Sequence, residues 1–481
     1  MSLTLAEDRG VSMAARAQAR SFLDAYLAGT PDEVPVPAPP RPPRGPALAP
    51  PLQAFALRGC LLTRDGPLDN TWLVIVGGRI SAIKKRRPAG VPGVDTHGVI
   101  LPGLIDLHGH PEFNVFAAWE PPKQYINRYA WRASAPYKAL VRTPQDKLQA
   151  KLPRGTQLRY AEIRALVGGV TAMQGASGTN RATDESLVRN VDLRIFGQHR
   201  ARAMIDLPSG PRGRGADTLR NVLAGIANGS VDAFYLHLAE GARNNQRSID
   251  EFDRMVKFDA LTPATVIIHG TALTVEQLGH VRDAGAKLVW SPQSNLRLYG
   301  ETTRAAEALR MGLPVALGAD WLPSGSTSLL AEMKVARQEL ANQGFPISAR
   351  SLVNMVTEDA AKIAGLSDHL GVLAEGRVAD VVVIRRRSDD PYETVVNATP
   401  EAVELVTIGS DLAYGRADWI KLLALDPMAP SLEPVLAWGK QMMLDTSYHA
   451  AATASTAASP PLTQLRADLT RVYPPVGPIW A

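Results

Sequence analysis

Six side chains with metal-binding or acid–base chemistry fall at the ends of short apolar runs. They are His108 and His110 in "GVILPGLIDLHGHPEFN", His237 and Glu240 in "DAFYLHLAEG", His269 in "ATVIIHG" and Asp320 in "LPVALGAD". His108 and His110 are one residue apart, and residues i and i+2 of a strand share a face, so both imidazoles are expected to leave the same strand end on the same side. That arrangement suits a divalent cation. Nine histidines in 481 residues give roughly 0.2 His-x-His pairs by chance, so the pair by itself is a weak motif. The joint placement of all six residues carries the weight. His97, His280 and His369 fall in predicted turns or helices, His449 in a polar tail and His199 just beyond a predicted strand.

The elements that must position these residues alternate along the chain. After the run ending at His110, strand-like segments begin at Gly168, Asp192, Ala201, Asp232, Ala264, Ala286 and Leu313, with amphipathic helical patterns such as "TVEQLGHVRDAG" and "TRAAEALRMG" between most of them. Eight strands interleaved with helices predict a parallel α/β arrangement, a distorted (β/α)8 TIM barrel over residues 103–365, whose functional residues belong at the C-terminal rim. Hairpin signals in "FALRGCLLTRDGPLDNTWLVIVGGRISAIKK" and the return to β character in "HLGVLAEGRVADVVVIRR" predict a small β-sandwich domain made from 53–102 and 366–445. Residues 1–52 are expected to be an extension, with a short Ala/Arg-rich helix over Ser12 to Leu27 followed by the proline-rich "PDEVPVPAPPRPPRGPALAPP", and 446–481 a C-terminal one.

Bulk properties narrow the function. An apolar fraction of 45% is that of a globular protein, and a formal charge of +5 with acidic and basic residues interleaved leaves no nucleic-acid footprint. No apolar run reaches membrane-spanning length. Cys60 is the single cysteine, which excludes an intramolecular disulfide and an all-cysteine metal site, and a cytoplasmic location is the simplest expectation.

Taken in order, these motifs resemble those of the amidohydrolase superfamily across Leu57 to Ile384. "LPGLIDLHGH" looks like its first-strand motif, "HLAEG" its fifth, "IIHGTALT" its sixth, "SPQSNLRL" its seventh and "LGADW" its eighth. The pattern most resembles the mononuclear branch with cytosine deaminases and triazine hydrolases. The resemblance implies one divalent metal, zinc first and ferrous iron second, held by His108, His110, His237 and Asp320, with a metal-activated water as nucleophile. A second metal commonly needs a bridging ligand, often a carboxylated lysine on the fourth strand, and no lysine lies between Lys151 and Lys257.

In that frame Asp320 is the general base, Glu240 shuttles the proton to a ring nitrogen or leaving amine, and His269 donates a hydrogen bond to the developing oxyanion or to the water. Asp106 is either a supporting group behind the ligands or a buried structural carboxylate. The loop after the first strand carries Trp119, Tyr125, Arg128, Tyr129, Trp131 and Arg132, which either stack on a flat ring and hold an anion or simply pack the loop. Gln174, Gln198, Ser291, Ser294, Asn295, Arg297 and Trp321 complete the pocket candidates. The expected function is hydrolysis of a C–N bond in an amide, cyclic amide or amidine-like group of a small-molecule or short peptide-derived substrate. Hydrolytic deamination or dehalogenation of a nitrogen heterocycle and a non-catalytic scaffold are the alternatives, and the resemblance also suggests a homo-oligomer.

Overall fold

The structure is a computed structural model that describes residues 53–176, 186–193, 195–196, 201–448 and 458–480. The N-terminal extension, Gln198, His199 and His449 lie outside them. No helix among the described residues is long and apolar enough to cross a membrane.

The first four strands are β1 (Ala54–Thr63), β2 (Gly66–Val76), β3 (Arg79–Lys84) and β4 (Gly93–Pro102). Eight short strands follow: β5 (Leu104–Asp106), β6 (Val170–Met173), β7 (Arg189–Asn190), β8 (Ala201–Met204), β9 (Ala233–Leu238), β10 (Thr265–His269), β11 (Lys287–Trp290) and β12 (Val315–Leu317). The chain ends with β13 (Val381–Ile384), β14 (Val403–Ile408), β15 (Asp411–Arg416), β16 (Leu432–Ala437) and β17 (Lys440–Asp445).

Both ends of the chain meet in one nine-stranded sheet of order β16-β17-β15-β14-β13-β4-β1-β2-β3. The union is the antiparallel β13–β4 pairing, Val383 opposite Ile100, above a core that includes Phe55, Leu57, Leu73, Ile75, Ile100 and Val383. β5 to β12 form two all-parallel sheets, β5-β6-β7 and β8 through β12 in sequential order, with helices between most of the strands. An isolated parallel bridge between Gly109 and Asp320 brings the end of the last of these strands beside the end of the first. A bidentate Arg189–Asp380 ion pair of 2.7 and 2.9 Å fastens β7 to the nine-stranded sheet.

Strand parity divides the core. Ile105, Leu107, Ala172, Tyr235, Val266, Ile268, Val289 and Ala316 form one cluster, while Phe234, Leu236, Ile267, Leu288, Trp290 and Leu317 belong to the larger one that includes helix residues. Both faces of these strands are buried, which is why they read as continuous apolar runs. The helices start where the sequence provides caps: Thr274 and Gln277 form a reciprocal capping box, and Ser328 accepts from the Ala331 N–H.

The third strand lies earlier than the run from Asp192 suggests. It spans Arg189–Asn190, and the Asn190 side chain accepts the Asp192 N–H at 3.0 Å, turning the chain at the point where the apolar pattern invites a strand. The C-terminal extension, featureless in sequence, contributes a helix, Leu462–Val472, and Gly477, whose carbonyl accepts from Tyr160 and Arg164 at 2.8 Å each.

Candidate metal centre

His108 and His110 do not lie within a strand. β5 ends at Asp106, and both follow in irregular backbone, so strand parity does not align them. Tertiary contacts bring them together instead. The Asp320 N–H donates to the His108 carbonyl at 2.8 Å, and the Asp106 carboxylate accepts from the N–H groups of His108 and Ala319 at 3.2 Å each. Asp106 is thus the structural tie between the first and last strand ends, and burial pushes its carboxyl up to about 7. Gly318 allows the close approach, since a Cβ there would stand 2.4 Å from His108 Cβ and 2.7 Å from its backbone nitrogen. Gly318→Ala is accordingly expected to push the buried His108 backbone and ring aside, lowering kcat/KM about 10²-fold and the stability by about 1–3 kcal/mol, which steady-state kinetics and a urea titration would read.

Two of the six residues sit in left-handed backbone, His269 at φ 67° and Asp320 at φ 61°. For β10 this conformation has a clear use. Val266 and Ile268 belong to one cluster and Ile267 to the other, so continued alternation would turn residue 269 away from Ile268's side. The left-handed residue at the strand end re-aims the imidazole into the cluster of rings.

His108, His237 and His269 place ring nitrogens within 4.8 Å of one another, and His108, His110 and Asp320 do the same. His108 Nε2 stands 3.0 Å and His110 Nε2 3.6 Å from the same oxygen, Asp320 Oδ1. Neither ring nitrogen of the fully buried His108 makes a hydrogen bond of proper geometry. The orphaned His108 imidazole, converging with His110 on one carboxylate oxygen, fits a divalent cation. Burial and the adjacent His108 push the His110 imidazole down to about 3, and burial with the same neighbour holds His237 well below its ordinary value. Both rings are therefore neutral and offer lone pairs. Burial would raise the Asp320 carboxyl, but the imidazoles of His108, His269 and His110 outweigh it and hold Asp320 below the usual carboxylate range.

The expectation for His269 requires correction. Asn295 Oδ1 lies 2.9 Å from His269 Nδ1, and the Asn295 amide group donates to Thr303 Oγ1 at 3.2 Å. That hydroxyl spends its proton on the His269 carbonyl at 2.6 Å, so it can only accept from Asn295. The amide is thereby oriented, Nδ1 carries the proton, and burial keeps the ring neutral. Nε2 then presents a lone pair to the centre, where the expectation from sequence was an N–H donor.

Glu240 is buried, its Oε2 3.8 Å from His269 Nε2, and its Oε1 accepts from the Tyr299 hydroxyl at 2.6 Å. Tyr299 in turn accepts from Trp131 Nε1 at 2.8 Å. Sequence reasoning missed Tyr299. The signal was available: it lies four residues after Asn295 on the helix Pro292–Tyr299, and i, i+4 residues share a helix face.

The loop after β5 is largely self-packed. Trp119, Tyr125 and Trp131 are buried; Trp131 lies 5.4 Å from Trp321 and 5.0 Å from Tyr137 between ring centroids. Trp321 donates to Ser324 Oγ, which also contacts Ser294 Oγ at 2.8 Å. Arg128, expected to hold a substrate anion, is committed to the protein itself: Nε donates to Asp206 at 3.0 Å, Nη1 to Glu251 at 2.9 Å and Nη2 to the Tyr129 hydroxyl at 3.0 Å. Arg132 also pairs with Asp206. Arg128→Met leaves Glu251 buried opposite no cation and is expected to cost about 3–5 kcal/mol of stability in urea titration. Gln174 Nε2 donates to Asp192 at 2.9 Å. Ser291 is buried, and Arg297 reaches the Pro323 carbonyl at 3.3 Å. A cavity of about 530 Å³ opens between the loop and the helix Pro292–Tyr299, lined among others by Glu120, Lys123, Gln124, Gln293 and Arg297.

Residues 99–412 match the Amidohydrolase family. The chain belongs to that family. A 5-methylthioadenosine/S-adenosylhomocysteine deaminase of Teredinibacter turnerae is 26% identical over 317 residues, 60% of this chain and 71% of the relative. An 8-oxoguanine deaminase of Pseudomonas aeruginosa is 25% identical over 392 residues, 68% of this chain and 85% of the relative. Among solved structures, the atrazine chlorohydrolase of Arthrobacter aurescens complexed with zinc has a TM-score of 0.59 at 18% identity, covering 87% of this chain and 99% of that one, a likeness of fold. This amidohydrolase is a metal-dependent hydrolase acting on carbon–nitrogen bonds other than ordinary peptide bonds.

Proposed function

We propose that this amidohydrolase is a mononuclear hydrolytic deaminase of an aminated nitrogen heterocycle. Its reading as a distorted (β/α)8 barrel over 103–365, with a small β-domain from 53–102 and 366–445, is supported by the eight parallel strands and the Gly109–Asp320 bridge. The convergence of His108 Nε2 and His110 Nε2 on Asp320 Oδ1 carries the functional reading. With His237 the donor set is three imidazole nitrogens and one carboxylate oxygen, which suits zinc first and ferrous iron second. The deaminases among the relatives favour attack on a ring carbon over amide cleavage.

A divalent ion held by His108, His110, His237 and Asp320 would supply Lewis acidity, acidifying the attacking water towards neutrality and favouring the developing oxyanion. Asp320, kept ionised by the surrounding imidazoles, takes one proton from that water. His269 Nε2 accepts the other O–H as a hydrogen bond and orients the nucleophile. Glu240 gives a proton to the ring nitrogen as the water oxygen bonds to carbon; when the C–N bond breaks, the proton held by Asp320 leaves with the amine as ammonia and the hydroxyl proton of the new C–O group returns to Glu240. The substrate class is a small cytoplasmic metabolite that carries the aminated ring, and the buried Trp119, Tyr125 and Trp131 serve to pack the loop beside the centre.

The test is ammonia release. Purified protein loaded with zinc is expected to release one ammonia per substrate consumed from at least one member of a panel of aminopurines, their nucleosides, aminopyrimidines and aminotriazines. Turnover of cyclic amides to a carboxylate and an amine, with no ammonia from any aminated ring, would overturn the deaminase reading.

A further inference from the structure

We propose that Tyr299 is a positioning residue whose hydroxyl donates to Glu240 Oε1 and thereby assigns the transferable proton to Oε2. The inference rests on the reading of Glu240 as the proton carrier. A carboxyl group has two chemically equal oxygens, and a proton shuttle is effective only if the proton sits on the oxygen that faces the reacting atoms.

The direction of each hydrogen bond follows from donor and acceptor capacity. The Trp131 indole N–H can only donate, so at 2.8 Å it occupies a lone pair of Tyr299 Oη. The single phenol proton is then left for Glu240 Oε1 at 2.6 Å. An oxygen accepting so short a bond is the poorer site for a further proton, so a proton passing through the carboxyl group is carried on Oε2. That oxygen faces the centre, 3.8 Å from His269 Nε2.

All three partners are nine-tenths or more buried, so water does not compete for these bonds. Burial and the neighbouring Glu240 raise the Tyr299 phenol well above its ordinary value, and it stays a donor. The helix Pro292–Tyr299 therefore serves two groups from one face: Asn295 sets the tautomer of His269, and Tyr299, one turn later, sets the proton site of Glu240.

Tyr299→Phe keeps the ring and removes only the hydroxyl. In zinc-loaded protein kcat for the ammonia-releasing substrate is expected to fall about 10- to 100-fold with KM nearly unchanged and metal content intact. Trp131→Phe, which frees the hydroxyl without removing it, is expected to cost less. In a Glu240→Gln background the Tyr299→Phe change is expected to cost no further rate, because the carboxyl that it orients is gone. A merely structural role for Tyr299 predicts the same loss in both backgrounds and would overturn the proposal. So would wild-type kcat in Tyr299→Phe alongside a crippled Glu240→Gln, an outcome that leaves the deaminase reading standing. Wild-type turnover by Glu240→Gln would instead remove Glu240 as proton carrier, and with it the premise.

Discussion

Asp320→Ala is expected to leave a folded protein whose kcat is lowered by about 10³-fold or more. The size of the effect follows from two tasks in one carboxylate. Asp320 Oδ1 stands 3.0 Å from His108 Nε2 and 3.6 Å from His110 Nε2, so its removal takes the oxygen from the donor set, and it also removes the acceptor of the proton that attack must release. The fold should survive, because the strand ends are held at the same place by bonds that do not use the Asp320 side chain: Asp320 N–H to the His108 carbonyl, and Ala319 N–H to the Asp106 carboxylate. His110→Ala is expected to abolish turnover in the same way, since His110 is offered to the centre from a loop and is the least buried of the ligands. Kinetics with circular dichroism and a thermal melt on both variants would check this. Wild-type rates from the Asp320 variant would remove it as the general base.

Stripping the protein with a chelator is the second large effect. Turnover is expected to vanish and to return with one equivalent of zinc per chain. Elemental analysis of active protein should find one divalent ion per chain; none, or two, would overturn the mononuclear reading. The stripped protein should also melt lower. A ligand bound only to the folded state stabilises it by about 4 kcal/mol at a thousandfold excess over its Kd. Without it, the ring nitrogens of His108 stay buried without a hydrogen bond of proper geometry, and the neutral rings of His110 and His237 lose the cation that would take their lone pairs.

The elements and the six polar residues at their ends were legible because they are local features. Apolar runs such as "AFYLHL" and "TVIIH" mark buried strands, and a histidine or carboxylate ending one of them stands out against its surroundings. The third strand was misplaced because a two-residue strand ended by a side-chain turn at Asn190 leaves almost no periodic signal. Arg128 and the aromatics of the loop after β5 invited a substrate role because sequence shows their types and not their partners. Asp206 and Glu251, which claim the Arg128 guanidinium, lie 78 and 123 residues away along the chain.

By itself the sequence determined the α/β order of elements, the candidate donor groups and the family to which they point. Each of these is encoded in short windows of residue type and spacing. Tertiary structure alone decided how the donors meet. His108 and His110 converge because Asp106, Gly318 and the Gly109–Asp320 bridge draw two strand ends together, and His269 turns inward only through a left-handed backbone. It also decided the protons: which nitrogen of His269 and which oxygen of Glu240 carry them depends on Asn295, Thr303, Tyr299 and Trp131, partners brought into reach by packing between distant elements. Hydrogen-bond direction is a property of an assembled network, and no single window of the chain contains one.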